Sequence, residues 1–298
     1  MRRIAFLVVL AFTAHISSAQ GCSDAGICTF DKNTHDTPTY KNELEFSPQI
    51  AQGAEDVIYF TPSTTYKHQF KKGYSFSAKI TYNQAHGDLG IRGQFGDVYL
   101  TGSRRWKNNK AHFWNLSFGL KAPLSAANLK INGYSLPMDY QPSLGTADVL
   151  LGLAYTTGFW DFSGGLQWPF LNKNKNSYFK EYSPTDAFES TNLFERKPDA
   201  LLKVNYKIIR RKSFELQPAL LGIYHLGEDS FENIYGQRVS IDGSRGLTLN
   251  GVVAATWKWS SKQSIELVAA SPFVVRDARP DGLTRAWVVS VNYQIQLK

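Results

Sequence analysis

The chain has 298 residues and 33.5 kDa, of which 43% are hydrophobic, 19% charged and 14% aromatic, with 23 Gly, 12 Pro, two Cys and a net charge of +8. That balance is too apolar and aromatic for a disordered tail, too poor in Cys for a disulfide scaffold, and long enough for one large domain or two ordinary ones. A mean hydropathy of −0.30, with no apolar run of about 20 residues beyond the N-terminal stretch, excludes a helical membrane protein. It does not exclude a membrane barrel, whose strands alternate and so average to mild polarity.

At the N-terminus, Arg2 and Arg3 precede an apolar run from Ile4 to Ala14, followed by Ser17, Ser18 and Ala19. This is the charge, core and small-residue cleavage grammar of a secretory signal over residues 1–19. Cleavage after Ala19 starts the mature chain at Gln20 and removes two of the 33 basic residues, leaving +6. An exported chain meets an oxidising compartment, so Cys22 and Cys28 read as a small disulfide loop rather than a metal site, which needs more ligands nearby. A lipid on Cys22 is the weaker alternative, because a lipobox wants a Leu-like residue where this chain has Ala19. Residues 20–40 show no strand alternation and read either as a plug folded into a lumen, stiffened by the disulfide, or as a periplasmic tail.

From residue 41 onward the pattern is period two. Tyr74, Phe76, Ala78, Ile80 and Tyr82 alternate with Ser75, Ser77, Lys79, Thr81 and Asn83, which only a strand separates into two faces. The division recurs with Trp114, Leu116, Phe118 and Leu120 against Asn115, Ser117, Gly119 and Lys121, and with Leu202, Val204, Tyr206 and Ile208 against Lys203, Asn205 and Lys207. It is clearest at the C-terminus, where Trp287, Val289, Val291, Tyr293, Ile295 and Leu297 oppose Ala286, Val288, Ser290, Asn292, Gln294 and Gln296. The predicted strands are twelve: 41–52, 55–69, 74–84, 95–106, 112–124, 147–157, 161–171, 199–210, 213–227, 246–259, 263–275 and 284–297. Most exceed the five or six residues or so of a globular strand and match the nine to eleven or so of a tilted membrane-spanning one.

The connections alternate in length. Short ones fall at 71–73, 107–110, 158–160, 211–212 and 260–263, and longer polar ones at 85–94, 125–146, 172–198, 228–245 and 276–283, with the hairpin near Gly53 as the exception. Outer-membrane barrels show this asymmetry, whereas a soluble sandwich has no such parity and turns its polar face outward. Trp106, Trp114, Trp160, Trp168, Trp257, Trp259 and Trp287 all fall near predicted strand ends, where indoles favour the membrane boundary. The expected fold is therefore all-β: a transmembrane antiparallel up-and-down barrel over residues 41–298, in the outer membrane, with lipid as a partner.

Three stretches carry a family resemblance: Phe95-Gly96-Asp97-Val98-Tyr99-Leu100, Leu116-Ser117-Phe118-Gly119-Leu120-Lys121-Ala122-Pro123 and Leu144-Gly145-Thr146-Ala147-Asp148-Val149-Leu150 with the residues through Tyr155. They resemble the outer-membrane transporter-like family named for the phenol meta-cleavage pathway, a relative of the long-chain fatty acid channels. The match spans about a quarter of the chain, and Pro123-Leu124-Ser125 departs from the family's usual Pro-Thr-Gly. The resemblance implies a barrel that passes small solutes, hydrophobic ones included.

Alternation also sorts the polar residues. With Val98, Leu100 and Gly102 facing lipid, Asp97, Tyr99, Thr101, Ser103 and Arg105 face the lumen. Lys79, Lys121, Asp148, Lys203, Lys207, Glu215, Lys258, Glu266 and Arg285 join them in a mixed-charge interior that either braces the wall or lines a conduit. No metal-binding His pair, Gly-x-Ser-x-Gly elbow, Walker loop or dinucleotide fingerprint appears, and the spread positive charge lacks the aromatic-flanked basic patch of a nucleic-acid binder. The reading is a channel or passive transporter without cofactor or metal, its selectivity set by lumen charges and by the loops at 125–146 and 172–198. A structural or adhesion barrel using its outer loops is the alternative, and a lipid-acting barrel enzyme the third.

Overall fold

The structure, a computed structural model, describes Ala19–Gln20, residues 41–109 and residues 112–297. The expected secretory signal, the Cys22–Cys28 disulfide and the segment 20–40 lie outside these residues, apart from Ala19 and Gln20, which pair with Arg285 and Thr284.

The alternating segments become twelve wall strands: β1 (Asn42–Ser47 and Gln49–Gly53), β2 (Ile58–Phe60 and Ser63–Gln69), β3 (Tyr74–Gly87), β4 (Gly90–Asn109), β5 (His112–Pro123), β6 (Thr146–Thr157), β7 (Trp160–Asn172), β8 (Asp199–Tyr206 and Ile209–Arg210), β9 (Phe214–His225), β10 (Gly246–Lys258), β11 (Gln263–Val274) and β12 (Thr284–Leu297). Each pairs antiparallel with the next, and β12 pairs back onto β1, so the sheet closes and has no edge. The described wall ends and the short turns share one end, the periplasmic end of an outer-membrane-type barrel.

Period two fixes which face is wet. Ile50, Leu100, Leu116, Phe118, Leu151, Leu153, Leu220, Val253 and Leu267 all point outward and are exposed. An apolar band around a closed wall, with polar residues inside, is the inverse of a soluble barrel, and hydrocarbon covers it. Trp106, Trp114, Trp160, Trp257 and Trp259 gather near the short-turn end, with Trp106 and Trp114 directly paired across strands, while Trp168 and Trp287 sit toward the other end.

Several boundaries differ from the sequence reading, each for a local reason. The strands at 41–52 and 55–69 break at Pro48 and Pro62, which lack an N–H, although their carbonyls still accept from Val291 and Tyr82. The strand at 199–210 breaks at Lys207, whose buried ammonium lies 2.5 Å from Asp161. The stretch 85–94 is not a long loop: β3 and β4 run on to Gly87 and Gly90 as a projecting hairpin, closed at Gly90 with φ 110°. The loop at 125–146 contains its own hairpin, Lys130–Ile131 with Tyr134–Ser135, turned at Asn132-Gly133 with positive φ at both residues.

The long-loop half of the barrel holds a protein core. Leu150, Leu201, Leu221, Ile223, Val252 and Val288 on the inner wall pack with Leu136, Tyr140, Tyr178 and Phe188 from the loops. The loops thus fold into the barrel rather than away from it.

The outward band predicts a position-dependent cost for charge. Leu151→Arg is expected to lose about 2–4 kcal/mol in a refolding titration into lipid vesicles. Ser77→Arg, on the lumen side, is expected to change stability by less than about 0.5 kcal/mol.

Candidate functional site

Inside the wall lies a cavity of about 990 Å³ that reaches the short-turn end. Its walls are built mainly from the inward positions of β1–β5 and β8–β12, which carry hydroxyls, amides and charges in place of the outward Leu, Val and Phe. Lys79, Asp97, Tyr99, Arg105, Lys121, Lys203, Glu215, Lys258 and Glu266 line it, as do Thr101, Ser103 and Arg285. Asp148 and Lys207 also point inward but are buried outside the cavity lining, each in an ion pair. Lys121 Nζ lies 2.7 Å from Asp148 and 3.0 Å from Thr146 Oγ1, and the Gln167 amide donates to the same carboxylate at 2.5 Å. These three strands are thereby braced by a pair with almost no solvent access.

The segment 136–144 caps the cavity. Ser143 Oγ donates to Asp97 Oδ1 at 2.6 Å, the Asn83 amide donates to the Pro142 carbonyl, and the Leu89 N–H donates to Tyr140 Oη at 3.2 Å. Close backbone approach is required here. A Cβ on Gly96 would stand 2.4 Å from the Pro142 oxygen, and one on Gly282 would stand 2.6 Å from the Met138 oxygen. The cap therefore spans from the β3–β4 wall to the loop before β12.

A polar ladder in the next loop holds the cap from above. Asn172, Asn174 and Asn176 each accept from the backbone N–H two residues on, at 2.8–3.0 Å, which turns every second side chain inward. Asn174 then donates to the Leu144 carbonyl at 2.9 Å and Asn176 to those of Ala127 and Leu136 at 2.9 and 3.0 Å. In the sequence these residues belong to the polar loop 172–198. The signal was present in the alternation Asn172-Lys173-Asn174-Lys175-Asn176.

Beside the ladder, a buried ion cluster ties three loops to the wall. His225 places Nδ1 2.6 Å from Asp199 and Nε2 2.7 Å from Asp229, while Arg196 contacts Asp199 and Arg276 contacts Asp281. Burial works against the Arg196 charge, but Asp199, Asp281 and Asp229 outweigh it and hold the guanidinium above its ordinary value. Burial likewise favours a neutral Asp281, yet Arg276 and Arg196 hold its carboxyl below the usual range. Both His225 nitrogens face carboxylates, which leaves neither available to a serine hydroxyl.

Asp139, within the cap, behaves differently. Burial pushes its carboxyl up to about 7, against the pull of Arg285. Its raised value means that the folded protein keeps a proton which the unfolded chain releases near pH 4, so stability falls as pH rises across that window and levels off above about 7.

Two outcomes follow. The unfolding midpoint of Asp139→Asn should change less than that of the unaltered protein between about pH 4 and pH 8, as measured by thermal melts in detergent. Lys121→Met should cost about 3–5 kcal/mol because it strands the buried Asp148 carboxylate, and adding Asp148→Asn should recover much of that in denaturant titrations.

No family model and no curated protein matches the chain. Solved structures do. The COG4313 outer membrane channel from Pseudomonas putida F1 superposes with a TM-score of 0.60 at 16% identity, covering 89% of this chain and 98% of that one. The translocator domain of the autotransporter NalP from Neisseria meningitidis gives 0.51 at 10% identity, covering 93% and 95%. The chain shares with them the fold of an outer-membrane β-barrel.

Proposed function

We propose that the protein is an outer-membrane channel, or passive transporter, for small solutes. The observation that carries this reading is the cavity of about 990 Å³ within a closed wall, open toward the short-turn end and narrowed at the other by the segment 136–144. Its lining of hydroxyls, amides and charged groups favours polar solutes over the hydrophobic ones that the family resemblance implies. The likeness in fold to an outer membrane channel agrees with this role.

A second reading, a structural barrel, draws support from the loop core that fills the long-loop half, with Tyr140, Tyr178 and Phe194 almost wholly buried. A barrel closed by its own side chains conducts nothing.

Single-channel recording in planar bilayers separates the two. The channel reading expects small, steady conductance from the unaltered protein and a severalfold larger step when residues 136–143 are replaced by a Gly-Ser linker. Silence from both proteins, folded as judged by heat-modifiable gel mobility, supports the structural barrel instead.

A further inference from the structure

The outward face of β4 carries Leu100, Gly102, Arg104 and Trp106 in turn, all of them exposed. Because β4 runs from the long-loop end to the short turns, Arg104 lies one outward step, about 7 Å, deeper in the membrane than Trp106. Trp106 belongs to the group of indoles near the short-turn end, where such rings mark the headgroup boundary. A guanidinium on the lipid face just inside that boundary is costly unless it meets a counter-charge. The protein offers it a ring instead of a carboxylate: the Arg104 guanidinium lies 5.1 Å from the ring centre of Tyr74, its register partner on β3. Among the described residues no Asp or Glu stands within ion-pair distance of Arg104. Residues 57–87 and 98–138 contain neither acid.

Two further cations share this corner. Lys71 and Lys72 are exposed in the turn that leads into Tyr74, with Lys72 at φ 61° and Gly73 at φ 78°. The turn is pressed onto β4, since a Cβ on Gly73 would overlap the Arg105 carbonyl oxygen. In the long loops, by contrast, exposed cations meet acids, as Lys180 meets Glu189 and Arg238 meets Glu195. On the membrane side of Arg104 the wall is notched. Gly102 pairs in register with Phe76 on β3 and Phe118 on β5, both exposed, and a Cβ added to it would meet no atom within 4 Å. The two rings stand two strand spacings apart, about 10 Å, which leaves room for one acyl chain against the bare backbone.

We propose that this corner of the outer wall binds one phospholipid of the periplasmic leaflet, an anionic one of the phosphatidylglycerol type. Arg104 takes the phosphate through its fork of N–H donors, Lys71 and Lys72 add attraction at the turn, and an acyl chain fills the notch at Gly102. The neighbours set the headgroup's sign. Three cations with no acid among them favour a phosphate whose substituent is uncharged and repel the ammonium of phosphatidylethanolamine. The site lies on the outside of the wall, so it holds whether or not the barrel conducts.

Native mass spectrometry of the full-length protein in detergent tests this, with phosphatidylglycerol and phosphatidylethanolamine of identical acyl chains added in equal amounts. The unaltered protein is expected to retain one phosphatidylglycerol severalfold more often than one phosphatidylethanolamine. Arg104→Gln should abolish that preference. Gly102→Leu, which fills the notch and leaves the charges in place, should weaken retention of both lipids. Arg211→Gln with Lys212→Gln removes two exposed cations from the β8–β9 turn and should leave the preference unchanged. Equal retention of the two lipids by the unaltered protein would overturn the proposal, as would a preference that survives Arg104→Gln. A loss in the Arg211 and Lys212 double variant as large as that in Arg104→Gln would overturn it too, because diffuse charge on the rim would then suffice. The comparison within the unaltered protein decides the matter even where a variant fails to fold.

Discussion

The constraint from which the rest follows is that hydrocarbon, with no hydrogen bonds to offer, covers the outside of the wall. Every backbone N–H and C=O must then be met within the sheet, which is why the pairing runs from β1 through β12 and back to β1 without an edge. Every polar side chain at membrane depth must also turn inward. The lumen of a twelve-strand barrel is narrow, so this crowds Lys, Arg, Glu and Asp into a small space where each needs a partner. The ion pairs Lys121–Asp148 and Lys207–Asp161 are consequences of that crowding. The polar cavity has the same origin.

The two halves of the lumen answer the crowding differently. Toward the short turns the inward residues stay hydrated around the cavity. Toward the long loops, Leu150, Leu221 and Ile223 face Tyr140 and Tyr178, so the loops supply the apolar cover that a second protein layer gives in a soluble fold. Loops placed inside a barrel lose water from their backbone, and the Asn172–Asn176 ladder meets that loss carbonyl by carbonyl. The cluster of Arg196, Asp199, His225, Asp229, Arg276 and Asp281 locks the same loops to the wall. A buried pair of this kind resists the loss of either member far more than the loss of both, which gives the cap a defined seat rather than great stability.

The wall was readable from the sequence because a strand with one greasy face writes its period directly, as in Tyr74–Tyr82 and Trp287–Leu297. Reading failed where that face no longer meets lipid. The β3–β4 hairpin continues through Ile91–Phe95, which is exposed throughout, and there the alternation loses its meaning. The breaks at Pro48 and Pro62 were visible as residues, yet not as the local loss of pairing they cause. The cap was illegible for another reason. Ser143 meets Asp97 and Asn83 meets Pro142 across long separations in the chain, and no local pattern encodes that meeting. For the lumen residues, alternation could not tell a charge that faces water from one sealed in a pair, as Asp148 and Lys207 are.

A membrane-spanning wall of this kind requires that alternate residues of each strand touch lipid and water in turn. Nitroxide labels placed singly at Asn115, Leu116, Ser117 and Phe118 of β5, in protein with Cys22 and Cys28 replaced by Ser and reconstituted in bilayers, address it most directly. The labels at Leu116 and Phe118 are expected to collide with dissolved oxygen and those at Asn115 and Ser117 with a water-soluble nickel chelate. Four labels with the same accessibility, or nickel collisions at Leu116 and Phe118, would contradict it.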